Sequence, residues 1–108
     1  MILNSLDQSV VAEQLAAFNK TFEFYNSWGT LTDGMKEAFL RRREMFSWGS
    51  YGKDGNQPRK EILIKDLSDL HVCAILETQQ HIKGTPTEWL LKIEQSYRKE
   101  KGIEVKGP

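Results

Sequence analysis

The stretch Ile64-Lys65-Asp66-Leu67-Ser68-Asp69-Leu70-His71 (IKDLSDLH) changes its spelling within three residues. Its start continues an alternation that begins upstream in KEILIK (60–65), where Ile62 and Ile64 share one face and Leu63 takes the other, the period of a half-buried strand. Ser68 then stands as a helix N-cap. Leu67 just before it and Val72 at the fourth helical position have the spacing of a hydrophobic staple, while Asp66 and Asp69 bring negative charge to the positive end of the helix. The stretch is a strand-to-helix junction with His71 in the first helical turn. We read Asp66, Ser68 and His71 as architecture, with the imidazole tying strand to helix by accepting from one donor and donating to another. Direct contact of His71 with a ligand or partner is the alternative.

Working upstream, FSWGSY (46–51) also alternates and is separated from KEILIK by GKDGNQPR (52–59), whose Asp-Gly, Asn and Pro are turn formers. This is a β-hairpin with Phe46 and Trp48 turned towards the rest of the protein. A lone hairpin is marginal in water, so it must lie against helices. One helix is expected to begin near Thr32 or Asp33, run through MKEAFLRRREMF (35–46) and bury Met35, Ala38, Phe39 and Phe46. Arg41, Arg42 and Arg43 fan around its axis at successive steps of about 100° and form no flat patch. They read as a solvated face with one arginine lying over the core edge, or alternatively as an anion contact. Earlier still, Ser5 and Gln8 have capping-box spacing, and Val11, Leu15, Phe18, Phe22 and Tyr25 recur in steps of four and three along a first helix. That stripe is either core or the self-association face of a homo-oligomer. Trp28 follows in a loop broken by Asn26, Ser27 and Gly29, where it must cover something apolar or be used for contact.

Working downstream, the helix opened by Ser68 is expected to reach about Ile82 and stop at Gly84. Thr85-Pro86-Thr87-Glu88 is a capping box with proline at the first helical position. The last helix turns Trp89, Leu90, Ile93 and Tyr97 inward and ends at Gly102, with Arg98, Lys99 and Lys101 suited to its negative end. The expected fold is α+β and mostly helical, with about four helices and one β-hairpin between the second and third. It forms a single domain over residues 1–108: a helical part (1–45), the hairpin plus two helices (46–103), and a frayed tail (103–108).

Fifteen basic and fifteen acidic side chains cancel, which argues against a broad nucleic-acid surface and against an acidic nucleic-acid mimic, since both work through one-signed fields. The single cysteine, Cys73, permits no intramolecular disulfide, and a reducing cytoplasm is the simplest setting. The start MILNSLDQSVVAEQ lacks the basic and apolar regions of a signal peptide, so an intracellular protein is expected. Metal chemistry is not expected. His71 and Cys73 lie two helical steps apart and point in different directions, and Glu77 with His81 at i, i+4 supplies only two ligands. No phosphate loop, G-x-S-x-G or distinctive carboxylate pair is present, so neither an enzyme nor a cofactor is expected.

Trp48, the turn with Gly55, the arm Ile62-Leu63-Ile64-Lys65-Asp66-Leu67 and then Ser68-Asp69-Leu70-His71 together resemble a group of small tailed-bacteriophage accessory proteins. A second amphipathic helix ending in basic residues and Gly plus Ile or Leu is common there, and Arg98 to Lys101 with Gly102-Ile103 match it. The resemblance covers roughly residues 46–103; Val72 and Ala74 depart from it. It implies a small phage-encoded protein made in the host cytoplasm, and its genomic class implies binding and inhibition of a host or antiviral-defence protein. The contact groups expected from residue type are Trp28, Arg41, Arg42, Arg43, Trp48 and Tyr51, kinds of side chain enriched at interface hot spots. The alternatives are a nucleic-acid or nucleotide binder using the arginine run with Lys53, Arg59 and Lys60, and a homo-oligomer that sequesters a small signalling molecule.

Overall fold

The computed structural model describes residues 24–52 and 54–106. It is an α+β fold whose described part holds three α-helices and one two-stranded antiparallel hairpin: α1 (Asp33–Met45), β1 (Ser47–Ser50), β2 (Lys60–Leu63), α2 (Asp69–Thr78) and α3 (Pro86–Lys101). Single 3-10 turns at Trp28–Thr30, Ile64–Asp66 and Gln80–Ile82 join them. The first helix expected from the sequence, with Val11, Leu15, Phe18 and Phe22, lies outside the described residues. The last residue of its stripe, Tyr25, packs against the core, and its carbonyl accepts a 2.7 Å bond from the Trp89 indole.

Each helix begins where a side chain can satisfy the orphan amides of its first turn. Thr32 accepts from the Met35 amide, Ser68 from the His71 amide at 3.1 Å, and Thr85 from the Glu88 amide. The staple also forms, with Leu67 and Val72 both buried beneath the cap of α2. At α3 the box is displaced by one residue: the Glu88 carboxylate accepts from the Gly84 amide, while the Thr85 amide donates to Ile82. α3 ends in a Schellman motif, with Gly102 at φ +66° and the Ile103 amide on the Arg98 carbonyl at 2.8 Å.

Several expectations are corrected. Phe46 is 51% exposed, outside both α1 and the strand, because the chain turns from helix to extended backbone there: its amide donates to the Arg42 carbonyl as the last bond of α1, and its carbonyl accepts from the Ile64 amide as the first of the ladder. β2 stops at Leu63, since residues 64–66 tighten into a turn that feeds the α2 cap; Ile64 is buried nonetheless. α2 ends at Thr78, whose hydroxyl bonds back to the Ala74 carbonyl, and the backbone breaks at Gln79 before the turn that buries Ile82. The tail does not fray after Gly102 over the described part: Val105 exchanges hydrogen bonds with Asp69 at the start of α2.

The core brings Phe39 of α1, Ile64 and Leu67 of the junction, Val72 and Ile75 of α2, and Leu90, Leu91 and Ile93 of α3 together beneath Trp28 and Leu31. Trp28, Phe39 and Tyr97 form an edge-to-face triad with ring centroids 4.7–5.8 Å apart. An ionic network is buried beside it. Glu94, fully buried, accepts a fork from Arg43 (2.7 and 2.9 Å) and a 2.6 Å bond from Arg98, and Arg98 reaches on to Asp69 and the carbonyls of Ile64 and Lys65. Every buried side-chain polar atom among the described residues has a partner, as this chemistry requires.

Candidate binding groove

The hairpin register pairs Trp48 with Ile62 and Ser50 with Lys60, so these four side chains share one face of the two-stranded sheet. Gly49 and Glu61 lie on the other face, where the Arg59 side chain crosses Gly49. A Cβ at Gly49 would meet Arg59 Nε at 2.4 Å, so a larger residue there would displace the exposed end of this arginine from the strand. Arg59 is in turn paired with Glu61 at 2.8 Å.

Between the hairpin and α2 lies an open groove of about 1660 Å³. Trp48, Tyr51 and Ile62 line it from the hairpin, and Leu70, His71 and Ala74 from α2. Ile75 and Ile82 are its buried lining residues, and Thr85 and Thr87 also line it. The turn after α2 brings the His81 ring parallel to Trp48, with centroids 6.3 Å apart. Two large apolar side chains on this groove are held out in solvent: Leu70 is 84% exposed and Tyr51 51%. An apolar groove with a few convergent polar groups is the form a binding site takes; its volume exceeds the roughly 300–1,000 Å³ of small-molecule pockets and suits a longer segment.

The residues expected to make contacts divide into three groups. Trp48 and Tyr51 line the groove. Arg41 and Arg42 are exposed on α1, outside the groove lining, and Arg41 is paired with Glu37 one helical turn away. Trp28 and Arg43 are taken by the core. Trp28 is 7% exposed, its amide is held by the Ser96 hydroxyl, and Lys36 and Lys101 lie over its ring; Arg43 is forked onto Glu94. Hydrogen bonding to Glu94 outweighs burial and raises the Arg43 pKa above its ordinary value, which keeps the charge in place. The Arg41–Arg43 run therefore offers no united contact surface.

At the junction, Ser68 caps α2, and Asp66 is exposed in the turn before it. His71 gives its backbone amide to that cap, while its half-buried ring faces the groove and has no hydrogen-bond partner among the described residues. The expected ring-to-hairpin hydrogen bond is not formed among the described residues, and His71 lines the groove. Sequence reading missed Leu70, Ile62 and His81 as groove residues. Leu70 carried a usable signal, since it sits between staple residues that face inward and must itself face out.

Cys73 on α2 donates to Glu77 at 3.5 Å, and that carboxylate, first as acceptor and then through its charge, raises the thiol pKa. Among the described residues no cluster of three or more His, Cys, Asp or Glu is placed to hold a metal ion, and no helix is long and apolar enough to cross a membrane. No family model, curated protein or solved structure matches this chain.

Proposed function

We propose that this is a small phage-encoded accessory protein that acts by binding, and that it inhibits a host or antiviral-defence protein in the host cytoplasm. The observation that carries the binding part of this reading is the groove between the hairpin and α2, where Tyr51 and Leu70 are held in solvent around Trp48. Exposing large apolar groups costs solvation free energy, and a groove edged by them is stabilised when a partner covers it. Aromatic anchors in a concave site are also the side chains on which binding energy concentrates. The phage origin and the inhibitory outcome rest on the resemblance over residues 46–103.

The test is native mass spectrometry on the tagged protein purified gently from infected or expressing bacterial cells. The expected result is a complex carrying the added mass of one host protein, lost in the Trp48→Ala, Tyr51→Ala double variant. A chain that stays bare, or whose partner is held equally well by the double variant, refutes the assignment to this groove.

A further inference from the structure

The groove also opens onto a strand edge that no other strand pairs among the described residues. The Ile64 amide on the Phe46 carbonyl fixes the phase of the ladder, so the alternate residues Trp48 and Ser50 bond across to β2, while Ser47 and Gly49 turn their N–H and C=O groups outward. Among the described residues the sheet has two strands. The other outer edge is partly used, because the Leu63 carbonyl accepts from the Leu67 amide of the junction turn. No such bond reaches the outward groups of Ser47 and Gly49 among the described residues. From β2 only Lys60 and Ile62, on the shared face, line the groove, whereas every residue of β1 does so, as happens where a groove meets both the face and the edge of a strand.

Natural edge strands are usually blunted by shortness, by proline, by charge or by a bulge. β1, Ser-Trp-Gly-Ser, is short but carries no proline, charge or bulge. Two outward donors and two outward acceptors beside a groove are the elements of strand addition, in which main-chain bonds give affinity and alternate side chains enter pockets. The charge along the lining sets the side-chain class. Of the basic residues along the lining, Arg59 is paired with Glu61, whereas Lys60 has no ion-pair partner among the described residues; the one lining carboxylate among them is Asp54.

Resting on the proposed binding role of this groove, we infer that the partner supplies an extended peptide segment that pairs with β1. Alternate side chains of that segment face Trp48 and Ile62 with an apolar group, and the Lys60 end of the groove with a carboxylate.

The probes are short fluorescein-labelled peptides in which alternate positions carry valine or tyrosine followed by glutamate, read by fluorescence anisotropy on the full chain. Each has two twins, N-methylated at every second amide in one phase or the other. In one phase the methyl groups block the amides that face β1, so affinity falls by about tenfold or more; the other phase leaves affinity unchanged. Ser47→Pro removes an outward donor and lowers affinity in the same way, with circular dichroism reporting whether the variant is folded; if it is not, the N-methyl twins on the unaltered chain decide. Lys60→Glu weakens the glutamate probes by about tenfold.

Absence of binding by every probe at about 1 mM, or equal loss in both methylation phases, overturns the inference. So does sedimentation of the unaltered chain as a dimer that Ser47→Pro dissociates, since a second copy then occupies the edge. A host protein held equally by Ser47→Pro and the unaltered chain refutes strand addition while leaving the binding role standing, and failure to capture any protein refutes the role itself.

Discussion

Arg43 on α1 and Glu94 on α3, 51 residues apart in sequence, meet in a two-pronged ion pair of 2.7 and 2.9 Å, with the carboxylate fully buried and the guanidinium side chain 13% exposed. Glu94 also binds Arg98, so one buried carboxylate answers two guanidinium groups, that of Arg98 buried and that of Arg43 at the edge of the core. Removing one partner from a buried pair leaves the other charge uncompensated, at a cost of about 3–5 kcal/mol. Glu94→Gln should fall in that range by urea denaturation. Arg43→Met should cost less, because Glu94 keeps Arg98 and Arg43 retains some solvent. Equal costs would show that the two arginines do not share the carboxylate as described.

Trp28 and Trp48 should separate cleanly when each is truncated. Trp28 is packed edge to face on Phe39 and Tyr97, and Trp28→Ala should lower stability by about 3–5 kcal/mol. Trp48 is half-exposed on the hairpin, and Trp48→Ala should cost substantially less while weakening partner binding. Chemical denaturation of both variants beside the partner assay checks this. A Trp28→Ala chain that is as stable as the parent would remove Trp28 from the core.

Ser68→Ala deletes the cap of α2 and should cost about 1 kcal/mol, whereas Ser68→Asp, which keeps the acceptor, should cost little. Thermal melting followed by circular dichroism distinguishes them. This junction was legible because capping is local. Ser68, Thr85 and Gly102 each act within four residues of where they stand, so the sequence spells out their partners. The ionic network was not legible in that way. Arg43, Glu94, Arg98 and Asp69 each pass for solvated helix charges, and only the folded chain brings them together. One trace was present: Leu90, Glu94 and Arg98 follow one another at steps of four, placing a charge pair along the same stripe as the apolar groups of α3. The groove was half legible. Trp48 and Tyr51 announce themselves by type, but the early end of α2 that brings His81 beside Trp48 lies in the backbone of Gln79, a residue whose type carries no stop signal.

The Cys73 thiol provides a pH-dependent check on α2. Glu77 accepts its proton in a hydrogen bond and repels the thiolate, so the thiol pKa lies above its ordinary value. A raised pKa means less thiolate at any given pH, and the thiolate is the nucleophile. The midpoint of the iodoacetamide rate against pH should therefore lie above that of a free cysteine peptide. Glu77→Gln should move it down and speed alkylation near neutral pH. A midpoint that does not move would show that the two side chains are not paired in solution.

The C-terminal tail offers a final test. The Asp69 amide donates to the Val105 carbonyl at 2.9 Å, and the Asp69 carboxylate accepts from the Val105 amide at 3.3 Å while also holding Arg98. The tail thus braces the residue that completes the buried network and lies next to the α2 cap. Ending the chain after Gly102 deletes both tail bonds and the Ile103 bond that closes α3, leaving those groups to water. Net hydrogen-bond contributions of about 0.5–1.5 kcal/mol for each of the bonds lost, a figure that already includes their exchange with water, set the expected loss at roughly 1.5–4.5 kcal/mol. Hydrogen exchange should locate it: the Asp69 amide, protected in the full chain, should exchange markedly faster after truncation, while amides within the middle of α3 change only by the global loss. An Asp69 amide that exchanges equally fast in both chains would mean the tail is not docked, and truncation should then leave stability unaltered.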